Sequence, residues 1–183
     1  MKKYNLAFID LETTGLNLDR HEIIEIGCVV ARQVPQPGRG AALEIISELD
    51  LKVKPEHLET AEPEALRING YNDSDWLFAV SLEQAMKALV EKTNGAMMIS
   101  HNITFDWPFL QHAFAKTKVL NKMLSVRLDL LSMAFAKLYH KEEVQRFNLK
   151  FLADYFGIKN ENAHTAMSDI KASIEIYKKL LEI

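Results

Sequence analysis

The sequence predicts an α/β fold, a mixed sheet covered by helices, built as a single domain over residues 1–183. Three observations lead there. Two apolar, β-forming runs near the start are followed by a turn rich in Pro and Gly and then a third run, the pattern of an antiparallel meander. Farther on, short apolar runs alternate with segments whose apolar residues recur at three- and four-residue intervals, the helical period. Strands first in a meander and then interleaved with helices build one mixed sheet with helical layers. The chain shows no internal repeat, low-complexity tract or linker that would divide it.

The elements follow in order. Residues 4–10 (YNLAFID) and 23–32 (IIEIGCVVAR) read as the first two strands, and QPGRG at 36–40 turns the second into ALEIISELDLKVKP at 42–55. Between Pro55 and Asn72 the chain is polar, with a short helix at EPEALRI. SLEQAMKALVEKTNG is a helix that Gly95 closes, and AMMIS at 96–100 is a compact buried strand holding Met97 and Met98. Helical spacing resumes at FDWPFLQHAFAK, and RLDLLSMAFAKLYH joins a short strand to a helix. Asn148 caps LKFLADYF, Gly157 ends it, and TAMSDIKASIEIYKKLLEI is a final amphipathic helix.

Composition narrows the class of protein. With 183 residues, 48% hydrophobic and 26% charged, the chain can bury a sizeable core as a soluble globular domain. The apolar stretch after Met1 is cut by Asp10, too soon for a secretory signal or a membrane span, so a cytoplasmic protein without membrane attachment is expected. Cys28 is the only cysteine, which excludes an intrachain disulfide, a zinc knuckle and a CxxC redox pair and leaves a small core residue. A net charge of −3 lacks the basic footprint of a duplex-coating protein. It does not exclude an enzyme that holds cations in an acidic site, because a bound cation reverses the field a phosphate meets.

FIDLETTGL, residues 8–16, raises that possibility. Asp10 and Glu12 stand two apart on a strand and so project from the same face, a geometry that suits a shared hard cation. Alone, the pair reads equally well as a strand end dipping into solvent before a Thr-Thr-Gly turn. Two later stretches supply further acids: SHNITFDWPFL at 100–110 brings Asp106 into the early part of a helix, and NAHTAMSDIKAS at 162–173 places His164 five residues before Asp169. Five helical residues rotate by about 500°, so the two would not share a face; the arrangement expected is Asp169 on the helix and His164 on the loop leading into it.

These three stretches, in this order, resemble the three motifs of the DEDDh 3′-to-5′ exonucleases, and the longer pattern is similar to DnaQ-like members such as the proofreading epsilon subunit of bacterial DNA polymerase III. The resemblance implies a ribonuclease-H-like fold with a mixed five-stranded central sheet flanked by helices. It also implies two divalent ions, Mg²⁺ or Mn²⁺, held by Asp10, Glu12, Asp106 and Asp169, and release of nucleoside 5′-monophosphates from a nucleic-acid 3′ end. His164 would be the general base, since an imidazole of near-neutral pKa can accept the proton of the attacking water. The resemblance further points to Thr13, Thr14, Leu16, Asn69, Asn102 and Phe105 as contacts for the terminal nucleotide. Each of several has a plainer reading: Thr14 and Gly15 as turn formers, Asn102 as a helix cap, Phe105 as core. Where many epsilon-type members carry His-Gly, this chain reads Asn69-Gly70, which puts one base-side contact in doubt.

The remaining histidines, His21, His57, His112 and His140, lack zinc-site spacing and are expected to face solvent or bond locally, while His101 supports its loop. Lys137, Lys141, Arg146 and Lys150 form a candidate track for a nucleic-acid backbone, with an ordinary charged surface as the alternative. Three functions follow from these readings. The first is an exonuclease trimming single-stranded or frayed DNA 3′ ends, where an unpaired terminus is cheaper to draw out. The second is an RNA-directed exonuclease resembling ribonuclease T or oligoribonuclease, and the third a silent nucleic-acid-binding module. The chain ends fourteen residues after Asp169, so the tail through which epsilon subunits join a polymerase partner is expected to be absent.

Overall fold

The computed structural model describes residues 4–36, 40–160 and 165–183. Five strands form one sheet in the order β3-β2-β1-β4-β5. β1 (Asn5–Thr13), β2 (Ile23–Gln36) and β3 (Gly40–Lys52) make the antiparallel meander; β4 (Met97–Ser100) and β5 (Arg127–Asp129) add in parallel on the other side of β1. The mixed sheet expected from the sequence is thus present, with β1 at its centre.

Two strands outrun their predicted ends. β1 continues past Asp10 to Thr13, because its ladder with β2 persists through Glu12↔Glu25 and closes at Thr13↔Ile23 after a bulge. Asp10 and Glu12 therefore lie within a paired strand. β2 continues past Arg32 to Gln36 through Val34 and Pro35. Its partner β1 stops at Asn5↔Arg32, so beyond that point only β3 borders β2, and a proline lacking an N–H is tolerated.

Among the described residues the chain forms six α-helices: α1 (Pro63–Ile68), α2 (Leu82–Thr93), α3 (Ile103–Thr117), α4 (Leu130–Leu138), α5 (Leu149–Phe156) and α6 (Ala166–Glu182). Their ends carry local reasons. Ser81 and Gln84 form a reciprocal capping box at α2, Asn148 accepts from the Phe151 N–H at 2.8 Å to start α5, and Gly157 ends it in a left-handed conformation.

The period-two alternation of β1 divides the interior. Ala7, Ile9 and Leu11 pack with Ile26, Cys28 and Val30 against α2 and α3, in contact with Met86, Leu89, Phe109 and Leu110. Leu6 and Phe8 face the other way with Val29 and Ala31, against Leu130, Ala134 and Leu138 of α4, Leu152 of α5, and Ile170, Ile174 and Tyr177 of α6. Cys28 is fully buried, as expected, and burial pushes its thiol up to about 12. Among the described residues no helix is long and apolar enough to cross a membrane.

Candidate active site

Leu6, Phe8, Asp10 and Glu12 lie on one face of β1, and the packing against α6 ends where the acids begin. Asp169 sits in the first turn of α6, whose N-cap is Thr165. Asp10, Glu12 and Asp169 each offer a carboxylate oxygen within 4.8 Å of the others. Among the described residues no cation pairs with any of the three. Asp169 is oriented by Asn160, whose Nδ2 donates to its Oδ1 at 2.7 Å while Ser168 Oγ donates to the Asn160 Oδ1 at 2.6 Å. A donor set of three unneutralised oxygens fits a hard divalent cation.

Asp106, expected as a metal ligand with the other three acids, is held by partners of its own. It is buried at the start of α3, its Oδ1 accepting from the Leu11 N–H at 3.1 Å and its Oδ2 from the Ser100 hydroxyl. Both oxygens are thus engaged by internal donors, and Asp106 borders the three-acid cluster without joining it. His164 lies outside the described residues.

The crowding of acids shows in their protonation. Burial, followed by the charges of Asp106, Glu12, Asp169 and Glu25, raises Asp10 well above the ordinary carboxylate range. Glu12 is pushed up to about 8 by burial first and then by Asp169, Glu25 and Asp106. Asp106 rises to about 7 through burial, against the opposing effect of the Ser100 and Leu11 hydrogen bonds. Glu12 therefore keeps a proton at neutral pH without a cation; a bound divalent ion would offset the burial and repulsion that raise it.

Beside the cluster runs a cleft of about 670 Å³ whose walls include Glu12, Thr13, Leu16, Asn69 and Phe105. Leu16 is 76% exposed at its rim, a large apolar side chain left to solvent. Phe105 contributes to both readings offered for it, lining the cleft while packing on Phe109 at 5.1 Å. Asn69 donates to the Thr13 carbonyl at 2.9 Å and so ties α1 to the rim.

Of the expected substrate contacts, Thr14 and Asn102 stand apart from the cleft lining. Thr14 is fully buried beneath the rim: its N–H donates to the Glu22 carbonyl at 2.9 Å, its hydroxyl accepts from the Glu22 N–H at 2.9 Å, and its carbonyl accepts from the Glu62 N–H at 2.8 Å. Thr13 likewise spends its hydroxyl on the Gly15 carbonyl at 2.7 Å. The turn-forming role accounts for these bonds. Gly15 is required there, since a Cβ would fall 2.4 Å from the ring of His21, which is buried and accepts the Asn17 N–H at 2.8 Å through Nδ1. Asn102 is exposed, apart from the cleft lining, and does not cap α3. The N–H groups of Asn102 and Ile103 donate instead to Asp129 Oδ1 at 3.0 and 3.1 Å, while Asp129 Oδ2 caps α4 by accepting from the Ser132 N–H at 3.0 Å.

The supporting residues Ser100, Asp129, Asn160 and Glu25 were not singled out from the sequence. Only Glu25 carried a local signal, an acid inside the apolar run IIEIGCVV, where an unpartnered charge would be costly.

The model of an exonuclease family, RNase_T, matches residues 7–177. The PolC-type DNA polymerase III of Caldanaerobacter subterraneus subsp. tengcongensis is 28% identical over 173 residues, which cover 94% of this chain and 11% of the polymerase. DNA polymerase III subunit epsilon of Haemophilus influenzae is 28% identical over 178 residues, covering 92% of this chain and 64% of the subunit. Ribonuclease T of Vibrio parahaemolyticus is 26% identical, with 95% and 84% covered. The chain therefore spans less than two thirds of the first two of these relatives. In fold it matches E. coli exonuclease I solved with a dT13 oligonucleotide, at a TM-score of 0.77 and 19% identity over 97% of this chain and 41% of that one.

Proposed function

The chain belongs to the exonuclease family whose model spans residues 7–177, and from that membership and the carboxylate geometry we propose a metal-dependent 3′-to-5′ exonuclease of the DEDDh type that acts on single-stranded or frayed DNA 3′ ends. The observation that carries this reading is the convergence of Asp10, Glu12 and Asp169, drawn from the two ends of the chain, on one point beside a cleft that Glu12 also lines.

Asp10, Glu12 and Asp169 would hold Mg²⁺ or Mn²⁺, with Asp106 as the adjoining fourth acid. Divalent ions in such a site supply Lewis acidity for in-line displacement at a phosphodiester. Leu16 and Phe105 offer apolar surface to the terminal base, and Thr13 and Asn69 shape the wall between them. His164, which directly precedes the N-cap of α6 in the sequence, would take the proton from the attacking water, leaving a nucleoside 5′-monophosphate as product.

A second reading, an RNA-directed exonuclease, is favoured by one observation: the match to ribonuclease T covers 84% of that protein, so the likeness extends over most of an enzyme named for RNA. A digestion panel decides between the two. Single-stranded DNA, matched and mismatched duplex DNA, RNA and short oligoribonucleotides are each labelled at the 5′ end and incubated with Mg²⁺ or Mn²⁺. A ladder shortening from the 3′ end of DNA and abolished by chelator is the expected result. Faster digestion of RNA transfers the substrate assignment while keeping the chemistry, and no digestion of any substrate refutes the enzyme reading.

A further inference from the structure

Glu25 is a fifth acid near the cluster, and donors within the protein engage both of its oxygens. The residue is 2% exposed. Its Oε1 accepts from the N–H of Ala166 at 2.9 Å, the first residue of α6, and its Oε2 lies 3.3 Å from Lys52 Nζ. The lysine in turn rests 3.7 Å from the ring centroid of Trp76, whose indole N–H donates to the Ile24 carbonyl at 3.0 Å. A buried carboxylate is tolerated when it is both paired and hydrogen-bonded, and here the lysine and the helix N–H do both.

The neighbouring position on the same face of β2 reinforces the contact. Glu25 stands across the ladder from Glu12 and Gly27 across from Asp10, so the three acids share the face on which the Gly27 backbone meets α6. A Cβ on Gly27 would fall 2.7 Å from Ile170 Cδ1, 2.9 Å from Ala166 Cβ and 3.0 Å from the Ala166 carbonyl carbon. Helix α6 thus touches bare backbone at Gly27 and is gripped at its first N–H by Glu25. Asp169 follows Ala166 by three residues, nearly one turn.

We propose that Glu25 is a positioning residue: by accepting the Ala166 N–H it fixes the first turn of α6 on β2 and thereby sets the distance of Asp169 from Asp10 and Glu12. The inference rests on the proposed metal site, but the anchoring itself does not. What matters is the reach of the side chain to Ala166, with Lys52 and Trp76 holding the carboxylate in place. A role that is only electrostatic would make the charge matter and the reach immaterial.

Two near-isosteric variants separate these roles. Glu25→Gln keeps the reach and an acceptor oxygen but loses the charge; Glu25→Asp keeps the charge but is one methylene too short. Both are compared with the parent protein by hydrogen exchange of the amides of Ala166 to Asp169 and by Mn²⁺ titration in the absence of nucleic acid. The expected result is at least about tenfold faster exchange and about tenfold weaker Mn²⁺ binding in Glu25→Asp, a difference of about 1.4 kcal/mol in binding, with Glu25→Gln close to the parent in both. The reverse order, Glu25→Gln impaired and Glu25→Asp normal, overturns the proposal, as does unchanged exchange in both. Faster exchange in Glu25→Asp with Mn²⁺ affinity unaltered overturns the link to Asp169. If the parent binds no Mn²⁺, the metal reading fails, and the exchange data alone decide whether Glu25 anchors α6.

Discussion

Glu12 and Glu25 are direct partners across the β1–β2 ladder, two acids on adjacent strands facing the same side of the sheet. Like charges so placed oppose folding unless something intervenes. The two are handled differently. Glu25 turns to Lys52 and the Ala166 N–H, whereas Glu12 has no cationic partner among the described residues and lies with Asp10 and Asp169. The pair thus sets an acid spent on internal partners opposite one left beside Asp10 and Asp169.

Glu12 makes the metal-free protein sensitive to pH. Its folded pKa is raised from 4.5 to about 8, so over that interval the unfolded chain has released a proton that the folded chain retains. Stability therefore falls as pH rises from about 4.5 to 8, and the full cost is present above that range. Glu12→Gln removes this cost. Its melting temperature without metal should exceed the parent's by at least about 3 °C at pH 8.5, with little difference at pH 4.5. Added Mn²⁺ should stabilise the parent and not the variant, which thermal melts at both pH values will read.

Ser100 holds Asp106 through a buried hydrogen bond. Ser100→Ala should cost about 1–3 kcal/mol at pH 8.5, where Asp106, of pKa about 7, is ionised and loses a donor. The cost should shrink by pH 5, where the acid is protonated in both proteins. Urea unfolding at the two pH values measures the difference, and equal costs would show that the serine does not serve the ionised acid.

Gly27 leaves no room for a side chain under α6. Ile170 Cδ1 can rotate away, but the Ala166 backbone cannot without moving the helix. Gly27→Ala should destabilise the protein by about 1–3 kcal/mol and weaken Mn²⁺ binding, because the displaced turn carries Asp169. Denaturant melts and metal titration test the two parts.

Leu16, at the rim, is expected to act on substrate alone. Leu16→Ala should change stability by no more than about 0.5 kcal/mol, because the side chain is exposed. KM for a single-stranded oligonucleotide should rise about fivefold or more with kcat little altered, the mark of lost uniform binding.

His164 and Asp10 should separate chemistry from metal binding. His164→Ala is expected to keep Mn²⁺ affinity within about threefold while turnover falls by about a hundredfold or more, and Asp10→Ala to lose both. Near-normal turnover in the histidine variant would remove it from the mechanism.

Much of this was legible locally. The Asn148 cap and the Gly157 stop depend on residues within a few positions of one another, and the fold follows the expected order of elements. Asp10 and Glu12 share a face for the same reason, since alternation is a property of the strand backbone. Elsewhere a distant partner decided. Asn102 looks like a helix cap in its own segment, yet Asp129, from the neighbouring strand, does the capping. Thr14 has a hydroxyl that could reach a nucleotide, but that hydroxyl is buried and accepts the Glu22 N–H.

The sequence by itself determined which acids this protein has, their spacing and the faces of the strand and helix that carry them, because backbone periodicity is set within a few residues. Only the tertiary structure decided which acids meet. Asp169 joins Asp10 and Glu12, Asp106 turns inward to Leu11 across 95 residues, and Glu25 grips Ala166 across 141. Those choices arise where α3 and α6 pack on opposite faces of the sheet, and the side chain that finds a donor there is fixed by contact between elements rather than by any local pattern.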